Sequence, residues 1–272
     1  MASSLMVVQP HSVCDSCIEM PTWRLDLAWD GTAYIGWQRQ PNGTSIQQVI
    51  EEVLHRIFAG EEITVTAAGR TDSGVHALHQ VASFSSQIER SPQALIRGLN
   101  GLLPDDIVCK NAAIVDDRFH ARYQTKWKMY RYRILSSPTR DPHRRKKCWH
   151  WRASLQLSAM IEAAGFFVGD HDFKSFQSVG CGALHSTRTI TSATVRGVDD
   201  EIHFEVVGKG FLRHQVRIMA GTLLEVGRGN ISPRVIPQII AARDRSLAGP
   251  TAPPYGLWLV HTEMNMEPRK KR

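Results

Sequence analysis

Apolar residues along this chain recur with a period of two, then of about 3.6, and the two periods alternate in the same order twice. Over residues 22–29, Trp23, Leu25, Leu27 and Trp29 share one side and Arg24, Asp26 and Ala28 the other, as in a half-buried strand. Asp30-Gly31 closes the run. Ser45 then stands as an N-cap with Gln48 three residues on, the two parts of a capping box. Ile46, Val49, Ile50, Val53, Leu54 and Ile57 follow at helical spacing until Gly60. Residues 63–67 and 80–84 read as strands, Ser91-Pro92 opens a short helix to Asn100, and 107–115 is a further strand. The order then repeats. A strand over 126–135 precedes a helix over 155–168 and a hairpin of 188–198 with 201–207, turning at Asp199-Asp200. Helices over 211–226 and from Ser232-Pro233 to Arg243 lead to a last strand over 257–262.

Two successive βαββαβ units make an α+β fold of duplicated ferredoxin-like architecture. The expectation is that their sheets join edge to edge into one mixed, mainly antiparallel sheet, which removes two exposed edges. Helices would cover one side and a broad cleft the other. The units are residues 22–117 and 118–265, between a tail of residues 1–21 and a basic tail of 266–272. Residues 170–187, rich in Gly, Ser and His, read as a long functional loop.

Charge is uneven along the chain. The net charge is +7, yet residues 118–152 alone carry twelve Lys/Arg against Asp141, which leaves the remainder acidic. The same stretch holds Phe119, Tyr123, Trp127, Tyr130, Tyr132, Trp149 and Trp151. Cations neutralise phosphates and flat rings stack on unpaired bases, so this composition points to RNA and makes the cleft an RNA-binding one. No run of about 18 apolar residues exists to span a bilayer. Five cysteines, an odd and scattered number, do not build a disulfide framework and suit a reducing cytoplasmic setting. Cys14 and Cys17 form half of a zinc-binding spacing, with no second pair to complete it.

The most unusual segment is Gly69-Arg70-Thr71-Asp72-Ser73-Gly74-Val75-His76-Ala77, a loop between two central strands. Its glycines permit tight backbone paths. Arg70 two residues from Asp72 favours the ionised carboxylate, and a fixed carboxylate can attack an electrophilic carbon or abstract a proton. An Asx-turn that merely closes the loop is the alternative, and the residues alone leave both open.

That segment resembles the signature of the tRNA pseudouridine synthase A family. Other segments agree in order: Tyr34-Ile35-Gly36-Trp37-Gln38-Arg39-Gln40, Phe119-His120-Ala121-Arg122 with Lys128-Met129-Tyr130-Arg131-Tyr132, His171-Asp172-Phe173-Lys174-Ser175-Phe176, Phe211-Leu212-Arg213-His214-Gln215-Val216-Arg217, and Thr251-Ala252-Pro253 with Gly256-Leu257. The resemblance implies isomerisation of uridine to pseudouridine at nucleotides 38, 39 and 40 of the tRNA anticodon stem-loop. It implies no metal, no organic cofactor, no membrane or DNA partner, and a cytoplasmic homodimer. Asp72 matches the catalytic aspartate, Tyr130 the tyrosine that contacts the target uracil, and Arg217 the basic residue that pairs with the aspartate. Arg70 belongs to the same signature as Asp72. The tail before residue 22 is longer than the family's usual one, and Gln215 stands where Met is more common. His76, His79 and His214 are read as structural. Two rival classes are a non-catalytic RNA-binding protein and a nucleoside or glycoside hydrolase. The first would need RNP1 aromatics, which Leu212 and Arg213 interrupt after Lys209-Gly210-Phe211; the second usually needs two placed carboxylates.

Overall fold

A computed structural model describes residues 20–265; Cys14, Cys17 and the basic tail of 266–272 lie outside the described residues. The chain runs β1 (Thr22–Trp29), α1 (Ile46–Ile57), β2 (Thr66–Ala67), β3 (His76–Ser85), α2 (Pro92–Leu102), β4 (Ile107–Val115), then β5 (Thr125–Ser136), β6 (Trp149–Trp151), α3 (Leu157–Gly165), β7 (Gly169–Asp172), β8 (Thr187–Val198), β9 (Glu201–Gly208), α4 (Gln215–Gly227), α5 (Ile236–Ala242) and β10 (Leu257–Met264).

All strands belong to one mixed sheet with the order β4-β1-β3-β10-β5-β9-β8-β7, while β2 pairs with β3 and β6 with β5. In the first half the order is β4-β1-β3-β2. In the second, β10-β5-β9-β8 repeats it, with β10 as fourth strand and β5 as first. The halves meet where β10 runs parallel to β3, Trp258 opposite His76 and Leu259 opposite Ala77. The same edge of β3 carries β2 farther along, at Ser83 and Ala82. Two partners share one edge, so the strand expected over 63–67 shortens to Thr66–Ala67.

Local chemistry accounts for most element ends. The Ser45 hydroxyl accepts from Gln48 N–H at 3.2 Å and that of Ser91 from Ala94 N–H at 3.2 Å, capping α1 and α2. Asp199 turns the β8–β9 hairpin with φ 53°, a conformation that Asp tolerates better than most residues. Helix α4 starts at Gln215 rather than residue 211, because His214 is left-handed (φ 61°) and breaks the run. Ser232-Pro233 opens a 3₁₀ turn, and α5 begins only at Ile236. β6 and β7 are strands where loops were expected; β7 takes the first residues of the 170–187 segment.

One core runs through both halves, from Trp23, Leu25 and Ile50 to Phe204, Leu223 and Leu259. Strand alternation fixes its side. Tyr130, Tyr132 and Ile134 of β5 lie beside Val206, Phe204 and Ile202 of β9, and Phe204 packs on Phe167 after α3. These residues therefore face the helix layer. The cleft that holds Tyr130 opens on this helix-bearing face, between the helices of the two halves. This corrects the expectation of a cleft on the opposite side. The opposite face carries Arg131, Arg133 and Trp258.

Candidate active site

Asp72 lies on the loop between β2 and β3, and a preceding segment clamps that loop. Gly36 and Asp72 form an antiparallel bridge, Trp37 N–H donates to Thr71 O (3.1 Å), and Gly74 N–H donates to Tyr34 O (3.1 Å). A Cβ on Gly36 would stand 2.6 Å from Thr71 O, and the residue has φ +104°, so only glycine fits there. Gly74, at φ +75°, turns the chain back toward β3. The Tyr34–Trp37 motif thus serves as the support of the Asp72 loop.

The second half supplies the partners of the carboxylate. Arg217, on the first turn of α4, donates from Nη1 to Asp72 Oδ2 at 3.2 Å. Its Nε donates to Ala252 O at 2.8 Å while Ala252 N–H donates back to Arg217 O at 3.1 Å. The Thr251-Ala252-Pro253 segment therefore fixes the guanidinium against the acid. His214 Nε2 lies 3.5 Å from the same Asp72 oxygen. Burial pushes the His214 imidazole below its ordinary value against the opposing pull of Asp72, and Arg217 and Arg213 push it the same way. Residue reasoning set His214 aside. It stands at the left-handed residue just before α4, three residues from Arg217, a placement that helical periodicity does not reveal.

Asp72 keeps 29% of its side-chain surface open to the cleft. Tyr130 lines the same cleft, buried and edge-on to Phe211 with ring centroids 5.1 Å apart. Burial first, and then the charge of Asp72, hold its phenol well above the ordinary value. Arg70 is exposed on the cleft wall and makes no ion pair with Asp72 among the described residues. Arg217, not Arg70, is the cation on the acid.

The cleft encloses about 1480 Å³, and among the described residues its lining contains seven Lys/Arg and a single carboxylate, Asp72. Of the twelve Lys/Arg in residues 118–152, Arg122 and Lys128 are the two that line it among the described residues. Tyr132 is core instead, donating its hydroxyl to Pro253 O at 2.7 Å. Arg144 is held by Asp141, Asp200 and Glu201, and Lys147 by Asp30, so much of that stretch is neutralised locally. No helix of the described residues is long and apolar enough to cross a membrane.

A cationic cleft with one carboxylate, formed where two ferredoxin-like halves meet, has the charge that suits a polyanionic substrate. The tRNA pseudouridine synthase family matches residues 28–124 and 163–265. Proteins described as tRNA pseudouridine synthase A are 45% identical in Myxococcus xanthus (88% of this chain, 91% of that one). They are 47% identical in an Exiguobacterium species (87% and 95%) and 46% in Moorella thermoacetica (90% and 100%). The chain belongs to the tRNA pseudouridine synthase family and is an isomerase of tRNA.

Proposed function

We propose that this enzyme converts uridine to pseudouridine at nucleotides 38, 39 and 40 of the tRNA anticodon stem-loop, with Asp72 as its catalytic carboxylate. The observation that carries the role of Asp72 is its solitude: one carboxylate among seven cleft cations, held by Arg217 from the other half of the chain. The reaction is an internal rearrangement. The N1–C1′ bond breaks, uracil turns, C5 bonds to C1′, the proton on C5 is lost and N1 gains one. The uridine must first leave its stack, at a cost of a few kcal/mol, before a carboxylate reaches its sugar. Asp72 then attacks C1′, attacks uracil, or removes the C2′ proton to give a glycal; its exposed carboxylate suits each of the three. Arg217 and His214, at 3.2 and 3.5 Å, keep the acid oriented. Tyr130 provides a ring against which detached uracil stacks. Its phenol stays protonated, so it takes the C5 proton only in concert with passing its own onward.

The family resemblance extends the proposal to a cytoplasmic homodimer, for which sedimentation should give about twice the 30.6 kDa chain mass. The functional test is mapping of pseudouridine in unmodified tRNA transcripts incubated with purified protein and no additives. Pseudouridine confined to nucleotides 38 to 40 is the expected result. Release of free uracil with no rearranged nucleotide would assign a hydrolase instead.

A further inference from the structure

Six of the seven cleft cations have no carboxylate within 4 Å among the described residues; Arg217 is the exception. Five of those six have extended or partly exposed side chains that water can serve. Lys128 differs, for it is buried, with 8% of its surface exposed. Its ammonium has three donors and gives one bond to protein, a long one of 3.3 Å to Ala68 O. A buried ammonium with no counter-charge is costly unless an anion completes it. Two guanidiniums, Arg122 and Arg188, stand close enough to repel it, which deepens that need. Burial first, then Arg122 and Arg188, bring the lysine down to about 8.

The neighbouring backbone makes room for this charge. A Cβ on Gly69 would stand 2.5 Å from Lys128 Nζ, so the glycine that opens the Asp72 loop also keeps the ammonium's place clear. Lys128 and Tyr130 lie two residues apart on one face of β5, about 7 Å along the strand. That separation suits a ring at the base and a cation at the neighbouring backbone of one RNA strand.

We infer that Lys128, with Arg122 and Arg188 beside it and Gly69 clearing its place, forms an anion site on the cleft floor for one phosphate of the RNA strand next to the everted uridine. The inference rests on the functional reading above and adds a specific contact to it. Lys128 is a binding and positioning residue; it takes no part in bond making.

The test uses the Asp72→Asn protein, so that chemistry does not intervene, and an anticodon stem-loop RNA as probe. Adding Lys128→Met should weaken binding about tenfold. It should also lower the slope of log affinity against log salt by about one, as loss of a phosphate contact does. Methionine has nearly the shape of the lysine stem, and removing an uncompensated buried charge does not strain the fold. Gly69→Ala is the independent check. It should reproduce the loss by displacing the ammonium, and combining it with Lys128→Met should add little further. Unchanged affinity and slope in both variants overturn the site. A loss of affinity without any change in slope also overturns it, and assigns Lys128 to a neutral uracil oxygen. If the unsubstituted enzyme forms no pseudouridine in tRNA, the functional reading itself fails, whatever Lys128 does.

Discussion

The two faces of the central sheet treat positive charge in opposite ways. On the face away from the helices, cations meet carboxylates: Arg131 with Glu205 at 2.6 Å, Arg133 with Glu201 at 2.7 Å, and Arg144 with Asp200 at 2.6 Å. Trp258 lies beneath Arg133 and Lys147, with the cations 5.6 and 5.7 Å from its ring. On the helix-bearing face the cations line a cleft, and among the described residues only Arg217 has a carboxylate partner. Residues of one strand feed both, because β5 turns Lys128 and Tyr130 one way and Arg131 and Arg133 the other. Paired charge holds the sheet together, whereas unpaired charge waits for a polyanion. Composition counts the two alike.

The largest effect that would sharpen this contrast is at the single pair within the cleft. Arg217→Met should cut pseudouridine formation by about a hundredfold or more, since it removes the group that orients the acid. Single-turnover assays on tRNA transcripts read this directly. Retention of full rate would make the pair an incidental one.

Next come matched substitutions on the two faces. Arg188→Gln in the cleft should raise the dissociation constant for stem-loop RNA about tenfold and leave the melting temperature nearly unchanged. Arg133→Met on the other face should leave RNA affinity alone and cost about 1–3 kcal/mol of stability, because Glu201 loses its principal partner. Denaturant titration and filter binding, done on both proteins, break the comparison if the two effects are exchanged.

A smaller effect concerns acid stability. Burial raises Glu201, but bonds from His203, Arg133 and Arg144 outweigh it and hold its carboxyl well below the usual range. A group whose folded value is depressed gives stability that is complete above its unfolded value and lost as pH falls through the folded one. Asp30 behaves likewise: burial raises it, yet Lys147 and Thr32 bring it down to about 2. Glu201→Gln should therefore be less stable than the parent at neutral pH and lose less of its stability on acidification below about pH 4. Parallel curves in thermal melts across pH 2–7 would remove Glu201 from the account.

The smallest change is expected at His214. A neutral imidazole 3.5 Å from Asp72 contributes less than the guanidinium, so His214→Asn should cost under tenfold in rate at neutral pH. As pH drops below the lowered value, imidazolium forms in the parent beside Asp72 and Arg217. Rate profiles across pH should show the gap between the two proteins widening only on that acid side.

Strongly periodic runs made most of the fold legible. The spacing around Ser45 and Ser91 gave α1 and α2, and the Asp199-Asp200 break gave the hairpin. β6, with the sequence Trp-His-Trp, and β7, with Gly-Asp-His-Asp, are too short to show a period, and only their partners make them strands. The side on which the cleft opens was hidden for a different reason. Alternation separates two faces of a strand but does not say which face the helices cover. Asp72, Arg217 and Tyr130 could be singled out from motifs, and they line one cleft. The burial of Lys128 could not, because it depends on Ala68 and Gly69, some sixty residues away.

The central claim is that the carboxylate of Asp72 drives a rearrangement of uridine in tRNA. Its most direct test is tritium release from tRNA labelled at C5 of uridine, comparing the parent with Asp72→Asn at equal RNA occupancy. The account predicts release and pseudouridine from the parent, and binding with no release from the variant. Release at the parent's rate by Asp72→Asn would contradict it.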